Sequence, residues 1–341
     1  MTNPAQAQAT DSAAAVPAGR KKLRVARYTA GALAAAATLP YLALKIAWLS
    51  GSSVGVANRA VLRSASLAAL NALTAGMNIV AIALVLVFTL RWGGRVPGWL
   101  VLLPMWVGAG FLAPIGLLGP VDALYSAVSG TGVVPARSLV DPWVYHLVYT
   151  GFAGEAVFLL AAFALYAVDR WPGALSGPRA GHGTPRPWPQ AALALVAAVL
   201  ATAAGLAYLA WAFGATAGLP GNEAEEGFSG HMTQAGFGVM ALLGAAGIIM
   251  LARADGMWTG RQRRQRPAAV LMTWVGTGSM FAWGSWATLN TLGQTPLSQA
   301  GATGAGVASL VGLAEMLAGL LGGVLLSCWL AESTTRQDEL N

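Results

Sequence analysis

The sequence predicts an all-α polytopic membrane bundle of about eight helices, built as two parallel four-helix repeats. Three observations predict it. Of 341 residues, 56% are hydrophobic and only 10% charged, far from the balance of a soluble domain. The apolar residues fall into eight runs long enough to cross about 30 Å of hydrocarbon. Short motifs in the first four runs recur in the last four at nearly constant spacing.

Taken in order, residues 1–27 read as a disordered tail that ends in Arg20, Lys21, Lys22, Arg24 and Arg27. The run after it, Tyr28 to Leu49, is too long for the core of a cleavable signal and stays as the first helix. Leu67 to Leu90, Gly98 to Leu118 and Trp143 to Val168 complete a first repeat over 28–168. Residues 169–188 are rich in Gly, Pro and Arg and read as a cytoplasmic linker. Pro189 to Phe213, Met232 to Leu251, Ala268 to Leu289 and Gly304 to Leu330 form the second repeat, over 189–331. Residues 332–341 remain as a cytoplasmic tail.

The net charge of +7 comes from residues between the runs. With the N-terminus inside, the inner segments hold the five basic residues of the tail, then Arg91, Arg95, Arg170, Arg179, Arg186, Arg253, Arg261, Arg263, Arg264, Arg266 and Arg336. Only Arg59, Arg63 and Arg137 fall outside, which places both termini in the cytoplasm. The basic residues form no stripe interleaved with aromatics, so nucleic acid is not an expected partner. Trp92, Trp99, Trp143, Trp171, Trp188 and Trp258 lie at run ends, where indole rings settle at the headgroups.

The repeat rests on four matches. Ala47-Trp48 with Gly51 and Gly55 matches Ala210-Trp211 with Gly214 and Gly218, at an offset of 163 residues. Ala75-Gly76 matches Ala235-Gly236 at 160, and Trp106-Val-Gly-Ala-Gly110 matches Trp274-Val-Gly-Thr-Gly278 at 168. Glu155 matches Glu315 at 160. Four helices per copy return the chain to its starting side, so the copies run parallel about an axis along the membrane normal.

Glu155 and Glu315 are the leading candidate site residues. Each lies about 15–18 Å from the outer end of its helix, near the midplane. A carboxylate there costs at least about 2.5 kcal/mol unless it faces protein or water or is protonated. Small residues share their faces: Gly151 and Ala162 beside Glu155, and Ala308, Gly312, Gly319 and Gly322 beside Glu315. One reading makes the pair proton-coupling or cation-binding groups at the interface of the copies; the other makes them structural ties between helices. Lys45 is expected to snorkel to the outer interface rather than pair with Glu155, and Tyr208 stands at its matching place. His146 lies near the outer end of the fourth helix and joins the candidates. Asn78, with Asn71 and Asn290, is expected to hydrogen-bond between helices. Pro40, Pro104 and Pro114 can kink helices 1 and 3, whereas the seventh run has no proline.

Catalytic and cofactor motifs are thin. Gly51-Ser-Ser-Val-Gly55 fits a nucleophile elbow but follows a membrane helix rather than a strand. Gly227-Phe-Ser-Gly230 resembles a rhomboid serine motif, yet its serine is expected in an outer loop beside Glu223, Glu225 and Glu226. Haem ligation by His146 and His231 lacks a repeated partner. There is no HExxH, P-loop or dinucleotide glycine pattern, and the lone Cys328 permits no intrachain disulfide. No catalytic residue, cofactor or metal is therefore assigned.

The segments Pro40-Tyr-Leu-Ala-Leu-Lys-Ile-Ala-Trp48, Arg95-Val-Pro-Gly-Trp-Leu100 and Leu103-Pro-Met-Trp-Val-Gly-Ala-Gly110 resemble a group of uncharacterised multi-pass membrane proteins of actinobacteria. The resemblance covers helices 1 to 3. It implies a bacterial inner-membrane setting and carries no activity. The expected function is a secondary transporter or exporter of a small molecule. The alternatives are a scaffold or accessory subunit holding a membrane partner protein through Glu223 to Glu226, and an integral-membrane enzyme acting on a lipid.

Overall fold

The computed structural model describes residues 18–57, 64–130, 139–171, 188–219, 227–253, 261–293 and 306–338. They form eight helices: α1 Ala18–Leu49, α2 Ala65–Thr89, α3 Gly98–Ser129, α4 Pro142–Arg170, α5 Trp188–Ala212, α6 Gly227–Arg253, α7 Arg261–Leu292 and α8 Val307–Asp338. A 3-10 turn, Arg91–Arg95, joins α2 to α3. Among the described residues there is no strand, only an isolated bridge between Val56 and Val140. The chain is a polytopic helical bundle.

Several helices outrun their apolar stretches, because backbone hydrogen bonding continues past the point where apolar side chains stop. α1 starts at Ala18, so Arg20 to Arg27 lie in helix rather than in a disordered tail. α3 runs through Pro120 to Ser129, where Gly130 ends it at φ 68°. α6 starts at Gly227, which puts Ser229 in its first turn rather than in a loop. α7 starts at Arg261 and so contains Pro267, a proline that the apolar run alone excludes. α8 extends to Asp338, into the expected tail. Glu223 to Glu226 and Trp258 lie outside the described residues.

Seven helices are both long and apolar enough to cross a membrane, and α7 is the one that is not. Its length suffices: 32 residues, about 48 Å. Its composition differs because its surroundings do. α7 lies against α6, α8 and α3, with Thr273, Thr277 and Ser279 fully buried. A helix with protein on most sides needs small and hydroxyl-bearing residues more than apolar ones.

In the first half α1 packs against α2 and α4, and α3 against α4; in the second, α5 packs against α6 and α8, and α7 against both of those. The halves meet where α3 lies on α7 and α6. α3 and α7 run the same way, since Trp106 meets Thr277 and Phe281 while Phe111 meets Trp283. Their backbones touch at the matched motifs. A Cβ on Gly110 would strike the Gly278 carbonyl, and one on Gly278 would strike the Trp106 carbonyl. Trp106 also rests on Gly323 of α8, while Trp274 stacks on Phe163 of α4 with ring centres 6.1 Å apart.

The turns after α1 and α5 repeat one another bond for bond. Ser50, Gly51 and Ser52 donate to the carbonyls of Ile46, Trp48 and Ala47, as Phe213, Gly214 and Ala215 do to those of Leu209, Trp211 and Ala210. Trp48 Nε1 donates to the Val54 carbonyl at 2.8 Å and Trp211 Nε1 to that of Ala217 at 3.0 Å. Gly51 and Gly214 both adopt positive φ, 91° and 93°, which a side chain would oppose. Each turn then leans on the start of its fourth helix: the Gly55 carbonyl accepts from Asp141, and the Gly218 carbonyl from Ala308.

At the opposite end, Tyr166 and Arg170 of α4 both donate to the Gly93 carbonyl, at 3.0 and 2.7 Å. Arg27 of α1 pairs with Asp169 at 3.0 Å. In the second half Arg266 of α7 sits over the Trp329 ring of α8 at 4.6 Å.

Candidate functional site

The three polar stripes of the first half follow from helical spacing. Thr38, Tyr41 and Lys45 recur at i, i+3 and i+7 on α1; Asn71, Thr74 and Asn78 do so on α2; Tyr145, Tyr149, Phe152 and Glu155 line one face of α4. Packing α1 against both α2 and α4 brings the stripes together.

Glu155 is 6% exposed, and its carboxyl lies beside the Thr38 hydroxyl. That hydroxyl donates to the Ala34 carbonyl at 2.9 Å. Tyr41, one turn along α1, lies near both Glu155 and Tyr149, with Thr74 of α2 beside its hydroxyl. Lys45, one turn further, donates to Asn71 Oδ1 at 2.8 Å, and its ammonium lies 4.7 Å from the centre of the Tyr41 ring and 5.0 Å from that of Trp48. At 7% exposed, Lys45 does not snorkel. An amide oxygen and two ring faces satisfy the ammonium inside the bundle, so it has no need of the interface.

Asn78 is buried, but its Nδ2 donates to the Thr74 carbonyl of its own helix at 2.8 Å; the interhelical bond on α2 belongs to Asn71. Asn290 likewise donates to Trp286 of its own helix at 2.8 Å. His146 is exposed, edge-on to Tyr145, and half a turn around α4 from Glu155. It does not join the site. Ser229 and His231 do not pair either: His231 Nδ1 lies 3.0 Å from the Ala212 carbonyl.

Glu315 sits in different company. It is 1% exposed, accepts from the Tyr208 hydroxyl at 2.8 Å through Oε2, and leaves Oε1 without a hydrogen-bond partner. Tyr208 packs edge-on to Trp211 and Phe237, and Phe237 leads on to Trp283. The polar neighbours of both acids lie on the first helix of their own half, α1 for Glu155 and α5 for Glu315, not across the junction of α3 and α7. The reason is the glycines: Gly151 and Gly154 close onto Ala37 of α1, which turns the face of Glu155 inward.

Carrying each helix's offset over its other residues shows how far the halves differ. Thr38, Tyr41 and Lys45 become Ala201, Ala204 and Tyr208; Asn71 and Thr74 become His231 and Gln234; Asp122 becomes Asn290 and Tyr149 becomes Ser309. Only the carboxylate is kept. Thr38, Tyr41, Thr74 and Tyr149 were legible in principle, as polar residues at helical spacing inside apolar runs. Among the described residues no group of three or more His, Cys, Asp or Glu is placed to hold a metal. Comparisons with protein-family models, with curated proteins and with solved structures returned no match.

Proposed function

We propose that this protein is a proton-coupled secondary transporter or exporter of a small molecule in a bacterial plasma membrane, with both termini cytoplasmic. The two halves then descend from one duplicated four-helix unit, which the matched turns and the α3–α7 crossing support. The observation that carries the reading is a cluster of polar groups on α1, α2 and α4 deep among apolar helices: Thr38 and Tyr41 beside Glu155, Thr74 beside Tyr41, and Lys45 on Asn71 one turn further along α1. Polar groups in a membrane interior are costly, and an assembly of them on three helices exceeds what tying helices together requires. Glu155 serves as the coupling group, Lys45 with Asn71 as a fixed polar pair two turns along α1 from Thr38, and Glu315 with Tyr208 as a tie that holds α8 to α5.

The test is a panel of small ammonium, carboxylate and neutral compounds applied to proteoliposomes that hold a pH-sensitive dye and an imposed proton gradient. At least one compound is expected to collapse the gradient with the wild type and with Glu315→Gln, but not with Glu155→Gln. Gradients that no compound touches, or equal loss in both variants, would sink this reading.

A further inference from the structure

The two halves close differently. In the second, each helix packs on the next around a ring: α5 on α6, α6 on α7, α7 on α8 and α8 on α5. In the first, three sides of the ring are present and the fourth is not, because α2 and α3 barely touch. Glycine accounts for the difference. α7 closes onto α6 where a Cβ on Gly276 would strike the Cα of Gly244 and one on Gly247 would strike Thr273. At the positions matching Gly244 and Gly247, α2 has Leu84 and Val87, which hold a neighbouring backbone off, and α3 lies on α7 of the other half instead. Gly108, the match of Gly276, and Gly119, about three turns along on the same face, have nothing within 4 Å of an added Cβ. Val80 of α2 is 44% exposed, against 5% for the matching Met240. The opening faces acyl chains, since both helices that flank it are long and apolar enough to span a membrane.

The open side leads to Lys45. Its ammonium donates to Asn71 of α2 at 2.8 Å and lies over the Tyr41 and Trp48 rings, which pack with Val144 and Val148 of α4. Lys45 therefore points into the middle of the ring, as Tyr208 at its matching place points across the second ring to Glu315. Lys45 is 7% exposed, and among the described residues no carboxylate oxygen lies within 4.0 Å of its ammonium. An amide oxygen and two ring faces solvate the charge without neutralising it. A buried cation beside a side opening to lipid is complementary to an anion that carries an apolar chain. We propose that the first half takes an amphiphile with an anionic head sideways from the bilayer, the head on Lys45 and Asn71 and the chain between α2 and α3. The proposal rests on the transporter reading and names its substrate class. In the second half Tyr208 stands in place of the ammonium and the α6–α7 contact closes the side, so that half offers no such site.

The probe is a long-chain carboxylate with a diazirine in its chain and a terminal alkyne, irradiated with the protein in phosphatidylcholine proteoliposomes. Labelled residues are located by mass spectrometry, with the exposed Leu195 and Val199 of α5 as the reference for ordinary lipid contact. Label is expected to concentrate on α2 around Val80 and on α3 around Gly119, and to be displaced by the unlabelled carboxylate but not by the alcohol of equal chain length. Lys45→Gln is expected to weaken this label at least about tenfold, and Lys45→Arg to keep it, because the head meets a charge. Gly119→Phe fills the empty place without touching Lys45 or Asn71, and is expected to remove the label while melting like the wild type. Label spread evenly over α2, α3 and α5, or displaced equally by the alcohol, would overturn the site. So would unchanged label in a stable Gly119→Phe. Specific label in a protein that leaves every proton gradient intact would sink the transporter reading and keep the site. Coupled movement of a water-soluble compound with no specific label would do the reverse.

Discussion

An ammonium five residues from a helix end can reach water along its own stem, yet Lys45 turns inward onto Asn71 and two rings. The two arrangements have different consequences. A snorkelling lysine can be replaced by methionine at almost no cost, whereas here Lys45→Met strips Asn71 Oδ1 of its donor inside the bundle. We expect Lys45→Met to lower stability by about 1–2 kcal/mol, and Asn71→Leu added to it to cost less than the two changes separately. Melting in detergent of the two single variants and the double variant checks both points; an unperturbed Lys45→Met would restore snorkelling. Tyr208→Phe makes the parallel test in the second half. It removes the donor from a carboxyl that is 1% exposed and whose other oxygen already lacks a partner, so a loss of about 1–3 kcal/mol is expected. A melting temperature equal to the wild type would mean that Glu315 is not a tie.

At the scale of elements, glycine decides where helices touch. Gly110 and Gly278 place each other's backbones in contact, and a side chain at either has nowhere to go but into a carbonyl. Gly278→Val is expected to destabilise by about 3 kcal/mol or more, because backbone rather than a movable side chain must yield. Gly108→Ala and Gly119→Ala, on the same α3 with nothing near the added carbon, are expected to be neutral or to gain up to about 1 kcal/mol from better helix propensity. Equal effects at all three positions, read as melting temperature and monodisperse yield, would remove the crossing as the junction of the halves. Both motifs were visible in the sequence as Trp-Val-Gly-Ala-Gly and Trp-Val-Gly-Thr-Gly, as were the eight helices and the mid-helix place of Glu155, because these depend on hydropathy and local spacing. That the two motifs meet each other was not visible, nor that Glu155 turns to Thr38 of α1, since periodicity gives a helix its faces but not its neighbours. The polar stripes on α1 and α2 are hard to read from sequence for a related reason: Thr38, Tyr41 and Thr74 are tolerable singly in membrane helices, and only their convergence marks them.

For the molecule as a whole, the side on which the chain ends depends on α7. Seven crossings would leave the termini on opposite sides, eight on the same side, and α7 is the helix whose composition alone does not decide. Its contacts do. Near one end Arg266 lies over Trp329, in the last turns of the apolar stretch of α8, and Leu251 at the end of α6 joins the same cluster. Near the other end Gly284 and Ala287 touch Gly312, close to the start of α8. Between them Gly276 crosses Gly244 of α6 and Phe281 meets Gly319 of α8. α7 therefore runs the length of two helices that are themselves apolar enough to span, and its polar residues are sheltered by them. Reporter fusions that fluoresce only in the cytoplasm and others active only outside it, placed at each terminus and in the segment between α7 and α8, check this. We expect both termini inside and the α7–α8 segment outside, in keeping with the basic residues at the start of α7 and their scarcity after it. An α7–α8 segment found inside would mean that α7 does not cross, and the parallel relation of the halves would fail with it, because the second would then hold only three spans.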